Sequence, residues 1–105
     1  MLNFNELSQL MSWIGSNINI AHDILDKEER ERNHVADSYM QLKDALRIKL
    51  QEARKLLDNA MEECEDQMQQ INIQSHASKL EDYEEKFAQM PDIEKIAEDG
   101  EEDEE

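Results

Sequence analysis

The chain has 105 residues, of which 36% are charged and only 5% aromatic, with two Gly and one Pro. A chain this short buries a smaller share of its surface than a long one, and these proportions argue against a thick globular core and against β-folds, which need Gly and Pro for their turns. The formal net charge of -16 argues against direct contact with nucleic acid or anionic membranes and favours a basic protein surface as partner.

The charge is spread unevenly. Residues 1–25 carry only Glu6 and Asp23, and residues 26–60 hold eight acids and eight bases. Residues 61–90 have eight acids against Lys79 and Lys86, and residues 91–105 have nine against Lys95. One cysteine, Cys64, leaves no internal disulfide, and no base precedes Lys27 to form the positive start of a secretory signal. A cytoplasmic protein is expected, with no apolar run of the roughly 18 residues a membrane helix requires.

In chain order, Asn3 with Glu6 has the spacing of a helix cap. Leu7, Met11, Ile14, Ile18, Ala21 and Leu25 follow at spacings of four and three, one face of a helix over about 5–25. Leu2, Phe4, Leu10, Trp13 and Ile24 widen the stripe, while Gly15, Ser16, Asn17 and Asn19 weaken it, so a break is expected near Gly15 if anywhere. Residues 26–34 contain no large apolar side chain, and Asp26 with Glu29 signals a new start after a turn at Leu25 to Lys27, with unbroken helix through an exposed charged turn as the alternative.

From there one long central helix is expected over about 27–71. Its apolar seam runs through Val35, Tyr39, Leu42, Leu46, Leu50, Ala53, Leu57, Ala60 or Met61, Cys64, Met68 and Ile71. Val35, Leu46, Leu57 and Met68 recur every eleven residues, the period of a straight or slightly right-handed seam. Residues 72–78 lack a clear period and read as a break. Ser78 with Glu81 then caps a short third helix over about 79–89, carrying Leu80, Tyr83, Phe87 and Met90 and stopped by Pro91. The fold class is therefore all-α: an elongated helical hairpin or coiled coil in a single domain over 1–90, followed by a disordered acidic tail over 91–105. At 1.5 Å per residue the central helix would span on the order of 65 Å and the first helix only some 30 Å. The uncovered half of the seam calls for a partner, and a homodimer is the simplest solution unless the third helix folds back over it.

Residues able to carry chemistry are few. Glu31 and His34 have the Glu-x-x-His spacing of two-metal bundles, but as a single copy in a polar stretch they read as a solvated turn. His22, His34 and His76 have no ligand spacing, and Cys64 on the seam reads as a buried, inert thiol. The Met residues Met11, Met40, Met61, Met68 and Met90 read as core filling. No catalytic group, metal or cofactor is expected. The informative feature is the acidic third, in which Glu62, Glu63, Glu65, Asp66, Glu81, Asp82, Glu84 and Glu85 form the expected binding face. The expectation is a non-enzymatic regulator or inhibitor that binds a basic partner through these acids. Mimicry of nucleic acid at a nucleic-acid-binding protein is one form of it. The alternative is a coiled-coil scaffold or chaperone acting through its apolar seam.

Overall fold

The computed structural model describes residues 4–93, and these form four helices and no strand: α1 (Phe4–Leu25), α2 (Glu29–His34), α3 (Ala36–Glu63) and α4 (Gln67–Ala88). The expected cap residue Asn3 and the acidic residues 94–105 lie outside the described part.

In α1, Leu7, Met11, Ile14, Ile18, Ala21 and Ile24 are buried, and Leu25 is only half-buried. The helix passes through Gly15 without a break. Its glycine serves packing: a Cβ there would lie 2.5 Å from the Tyr83 hydroxyl oxygen. The apolar stripe stops at Leu25, and the chain turns over Asp26 to Glu28, with the Asp26 N–H donating to the His22 carbonyl and the Lys27 N–H to the Ile24 carbonyl. α2 buries nothing. Val35, with φ -110 and ψ 17, interrupts it from α3, although the Tyr39 N–H still donates to the Val35 carbonyl at 2.9 Å.

The expected central helix over 27–71 is corrected at both ends. α3 stops at Glu63, the chain runs extended through Cys64 and Asp66, and α4 then continues uninterrupted through residues 72–78, against the expected break. Local electrostatics explains the stop. Glu62 and Glu63 crowd the negative end of the α3 dipole with no base in the last turn, an unfavourable arrangement. Asp66 instead suits a helix start, and its carboxylate accepts from the Met68 N–H at 2.9 Å. Across the turn the Cys64 thiol donates to the Asp66 carbonyl at 3.2 Å, so Cys64 is a half-buried turn residue packed against the end of the core.

Tyr39, Leu46, Leu50, Ala53, Leu57 and Ala60 of the expected seam are buried, joined by Ala36, while Val35 and Leu42 are half-buried. Met68 and Ile71 are corrected: they stand on α4 and are exposed. Met61 is also exposed, so of the methionines expected in the core only Met11 and Met90 are fully buried, with Met40 half-buried. The core-facing stripe of α4 is the buried Ile73 and Leu80 with the half-buried Ala77 and Phe87, at spacings of four, three and seven along the chain.

A few contacts fix the directions. Phe4 meets His76 with ring centroids 5.8 Å apart, and Gly15 meets Tyr83, so residue numbers on α1 and α4 rise together and the two helices are parallel. Tyr39 donates its hydroxyl to the Pro91 carbonyl, Lys43 pairs with Asp92 at 2.9 Å and Arg54 pairs with Glu84. Numbers fall against each other there, so α4 runs antiparallel to α3. The result is an elongated up-down-up bundle, 65 × 19 × 19 Å, in which α1 and α4 both pack on α3. With 28 residues in α3 against 22 in α1, and α4 packed on α3 as well, the mismatch of lengths behind the expected homodimer does not arise.

Candidate partner-binding surface

Because Phe4 stands level with His76, the first nine residues of α4 project past the start of the described α1, by about 13 Å at 1.5 Å per residue. The α3–α4 turn therefore forms a two-helix tip. Residues 61–72 are exposed apart from the half-buried Cys64.

The eight acids of the expected binding face do not form one face. Glu62, Glu63, Glu65 and Asp66 cluster at the tip, where the Asp66 carboxylate is engaged as the α4 cap. Glu81, Asp82, Glu84 and Glu85 lie further along α4, and no carboxylate stands between Asp66 and Glu81. That gap spans roughly 22 Å of helix. Glu84 is turned inward: it is half-buried and accepts two hydrogen bonds from Arg54, at 2.7 and 3.2 Å. This paired geometry holds the Arg54 guanidinium above its ordinary pKa, against a smaller opposing effect of burial. Asp82 pairs with Lys86 at 3.4 Å. Among the described residues, Glu62, Glu63, Glu65 and Glu85 have no ion-pair partner.

The bases of this region sit elsewhere. Lys79 and Lys86, the only Lys or Arg over 56–93, both line an open groove of about 600 Å³ between α1 and α4, opposite Ser8, Ser12, Ser16 and Asn19. Of the α1 residues that weaken the helix signal in the sequence, Gly15, Ser16 and Asn19 line this groove. The tip is left with acids and no base. It also carries Met61, Met68 and Ile71, which are 40%, 71% and 62% exposed. The apolar period, when carried through the turn, wrongly assigns Met68 and Ile71 to the core, and of the alternatives Ala60 and Met61 it is Ala60 that is buried.

Glu31 and His34 are exposed on α2, and among the described residues no three His, Cys, Asp or Glu side chains gather as metal ligands would. No described helix is long and apolar enough to cross a membrane. His76 places Nδ1 2.8 Å from the Asn72 carbonyl, and His22 buries Nε2 without a hydrogen-bond partner among the described residues. Comparison of the chain with protein-family models, curated proteins and solved structures finds no match.

Proposed function

We propose that this all-α protein is an acidic binding module, a non-enzymatic regulator that docks a basic protein surface through the carboxylates of its C-terminal part. The observation that carries the reading is the segregation of charge at the tip: Glu62, Glu63 and Glu65 project there without cationic partners, while both bases of the region lie in the α1–α4 groove. Such a field steers a basic partner toward the tip and speeds its association. The carboxylate-free stretch between Asp66 and Glu81 favours docking of a compact basic segment over imitation of a continuous phosphate rail.

The test is recovery of partners from the native host by wild type and by a Glu62→Gln, Glu63→Gln, Glu65→Gln, Glu81→Gln, Glu85→Gln variant. Partners recovered by wild type should carry basic surfaces, bind less well as salt rises and be lost by the variant. Equal recovery at low and moderate salt would make the carboxylates a solubility device.

A further inference from the structure

The exposed large apolar side chains of the described surface are Trp13, Ile20, Ile48, Met61, Met68 and Ile71. Half of them fall within eleven residues that straddle the α3–α4 turn. Met68 and Ile71 stand three apart at the start of α4 and so share a face. Ile71 is two residues from the buried Ile73, which puts it on the far side of the helix from the core. The surrounding exposed positions of α4 are Gln67, Gln69, Gln70, Asn72 and Gln74, so apolar side chains are the exception there. Nothing in the packing of α4 requires them. The same eleven residues contain Glu62, Glu63, Glu65 and Asp66 and no Lys or Arg.

We infer that the tip is a docking site for an amphipathic basic helix of a partner protein. The apolar stripe of that helix seats on Met68 and Ile71, and Lys or Arg residues bordering the stripe reach the carboxylates of the adjoining turn, Glu65 nearest in the chain. The inference rests on the reading of the chain as an acidic binding module and narrows it to one site and one class of partner. Charge selects the occupant. A second copy would bring the same carboxylates face to face with no cation between them, and an anionic membrane is repelled by the same field. Size agrees, since two to three turns of helix cover the roughly 13 Å by which the tip projects. Unbranched Met side chains adjust to apolar residues of differing shape, as a helix-binding surface requires.

The experiment uses the full chain and three labelled peptides of equal length: a Leu/Lys amphipathic helix, the same peptide with Ser for Leu, and the same peptide with Glu for Lys. Anisotropy titrations at moderate salt should give the Leu/Lys helix about tenfold tighter binding than the Ser/Lys peptide, the order expected for two or three apolar anchors, and no binding of the Leu/Glu helix. Backbone NMR shifts should be confined to the tip. Met68→Ser with Ile71→Ser should bring the Leu/Lys affinity down to the Ser/Lys level without changing the melting temperature, since both side chains are exposed. Glu62→Gln, Glu63→Gln, Glu65→Gln should weaken binding and flatten its salt dependence. If the apolar variant binds like wild type while the acidic variant does not, or if the shifts map to the α1–α4 groove, the docking site is wrong and the acidic module stands. If neither basic peptide binds, both readings fall.

Discussion

Two side chains show how single polar atoms are handled in so thin a bundle. Tyr39 is buried in α3 and donates its hydroxyl to the Pro91 carbonyl, which straps the segment after α4 onto the start of α3. Tyr39→Phe should keep the ring packed and cost about 1 kcal/mol, a fall of roughly 4–8 °C in Tm for a domain of this size. Burial, and secondarily the Asp92 carboxylate, raise the Tyr39 phenol above its ordinary value of 10.0. A raised folded-state pKa means that the folded chain holds this proton more tightly than the unfolded chain. The contribution is therefore complete below about pH 10 and is lost as pH climbs through the folded value. Thermal melts across alkaline pH should show a decline that Tyr39→Phe lacks. A decline of equal size in the variant would assign it to other groups. His22 is the opposite case, with Nε2 buried and without a hydrogen-bond partner among the described residues. An unsatisfied buried polar atom costs about 1–3 kcal/mol, so His22→Leu should leave stability unchanged or raise it. A clear loss in denaturant unfolding would show that the ring's packing outweighs its orphaned nitrogen.

At the scale of elements, what is legible in the sequence and what is not have separate physical causes. The stripe of α1 and the Tyr39–Leu57 part of α3 follow from apolar spacing, because a helix buried on one face repeats its core residues every three or four positions. The α3–α4 turn escapes that rule because the apolar period can be drawn through it. Leu57, Cys64, Met68 and Ile71 keep a spacing of seven, four and three although the chain reverses between them. The contrary signal is polar: Glu62 and Glu63 at the wrong end of a helix dipole, then Asp66 with Gln69 three residues on, the spacing of a cap box. Asp66→Ala should cost about 0.5–2 kcal/mol by removing that cap, and Asp66→Asn much less. Equal losses in denaturant melts for the two would mean that charge, not the cap hydrogen bond, fixes the turn. The register itself separates two substitutions that a continuous central helix would make alike. Leu57→Asp buries an unpaired charge and should abolish cooperative unfolding, whereas Met68→Asp stays in solvent and should shift stability by no more than about 0.5 kcal/mol. The candidate site is half legible: the acids are plain in the sequence, but their division by Glu84 and Asp66 into structural and free groups needs the fold.

Across the whole molecule, 27 acids face 11 bases, so self-repulsion acts against the compact fold. Opposing it, the ion pairs are mostly exposed, with Asp92 and Asp58 well solvated at their contacts with Lys43 and Arg54. Pairs of this kind contribute about 0–1 kcal/mol each. Salt screens both effects, so its net influence on stability reports which is larger. Repulsion acts over distances comparable to the 65 Å length of the bundle when salt is low, since the screening length is about 30 Å at 0.01 M, but only about 8 Å at physiological ionic strength. The ion pairs act at 2.7 to 3.9 Å and are screened less. Raising sodium chloride from about 0.01 to 0.15 M should therefore raise Tm, with most of the gain coming early in that range. The Glu→Gln tip variant should start from a higher Tm at low salt and gain less on screening, because part of the repulsion is already gone. Calorimetry of both proteins across that range checks this. A wild-type Tm that falls as salt is added would mean that the ion pairs, Arg54–Glu84 foremost, outweigh the repulsion, and that the acids at the tip cost the fold nothing to keep.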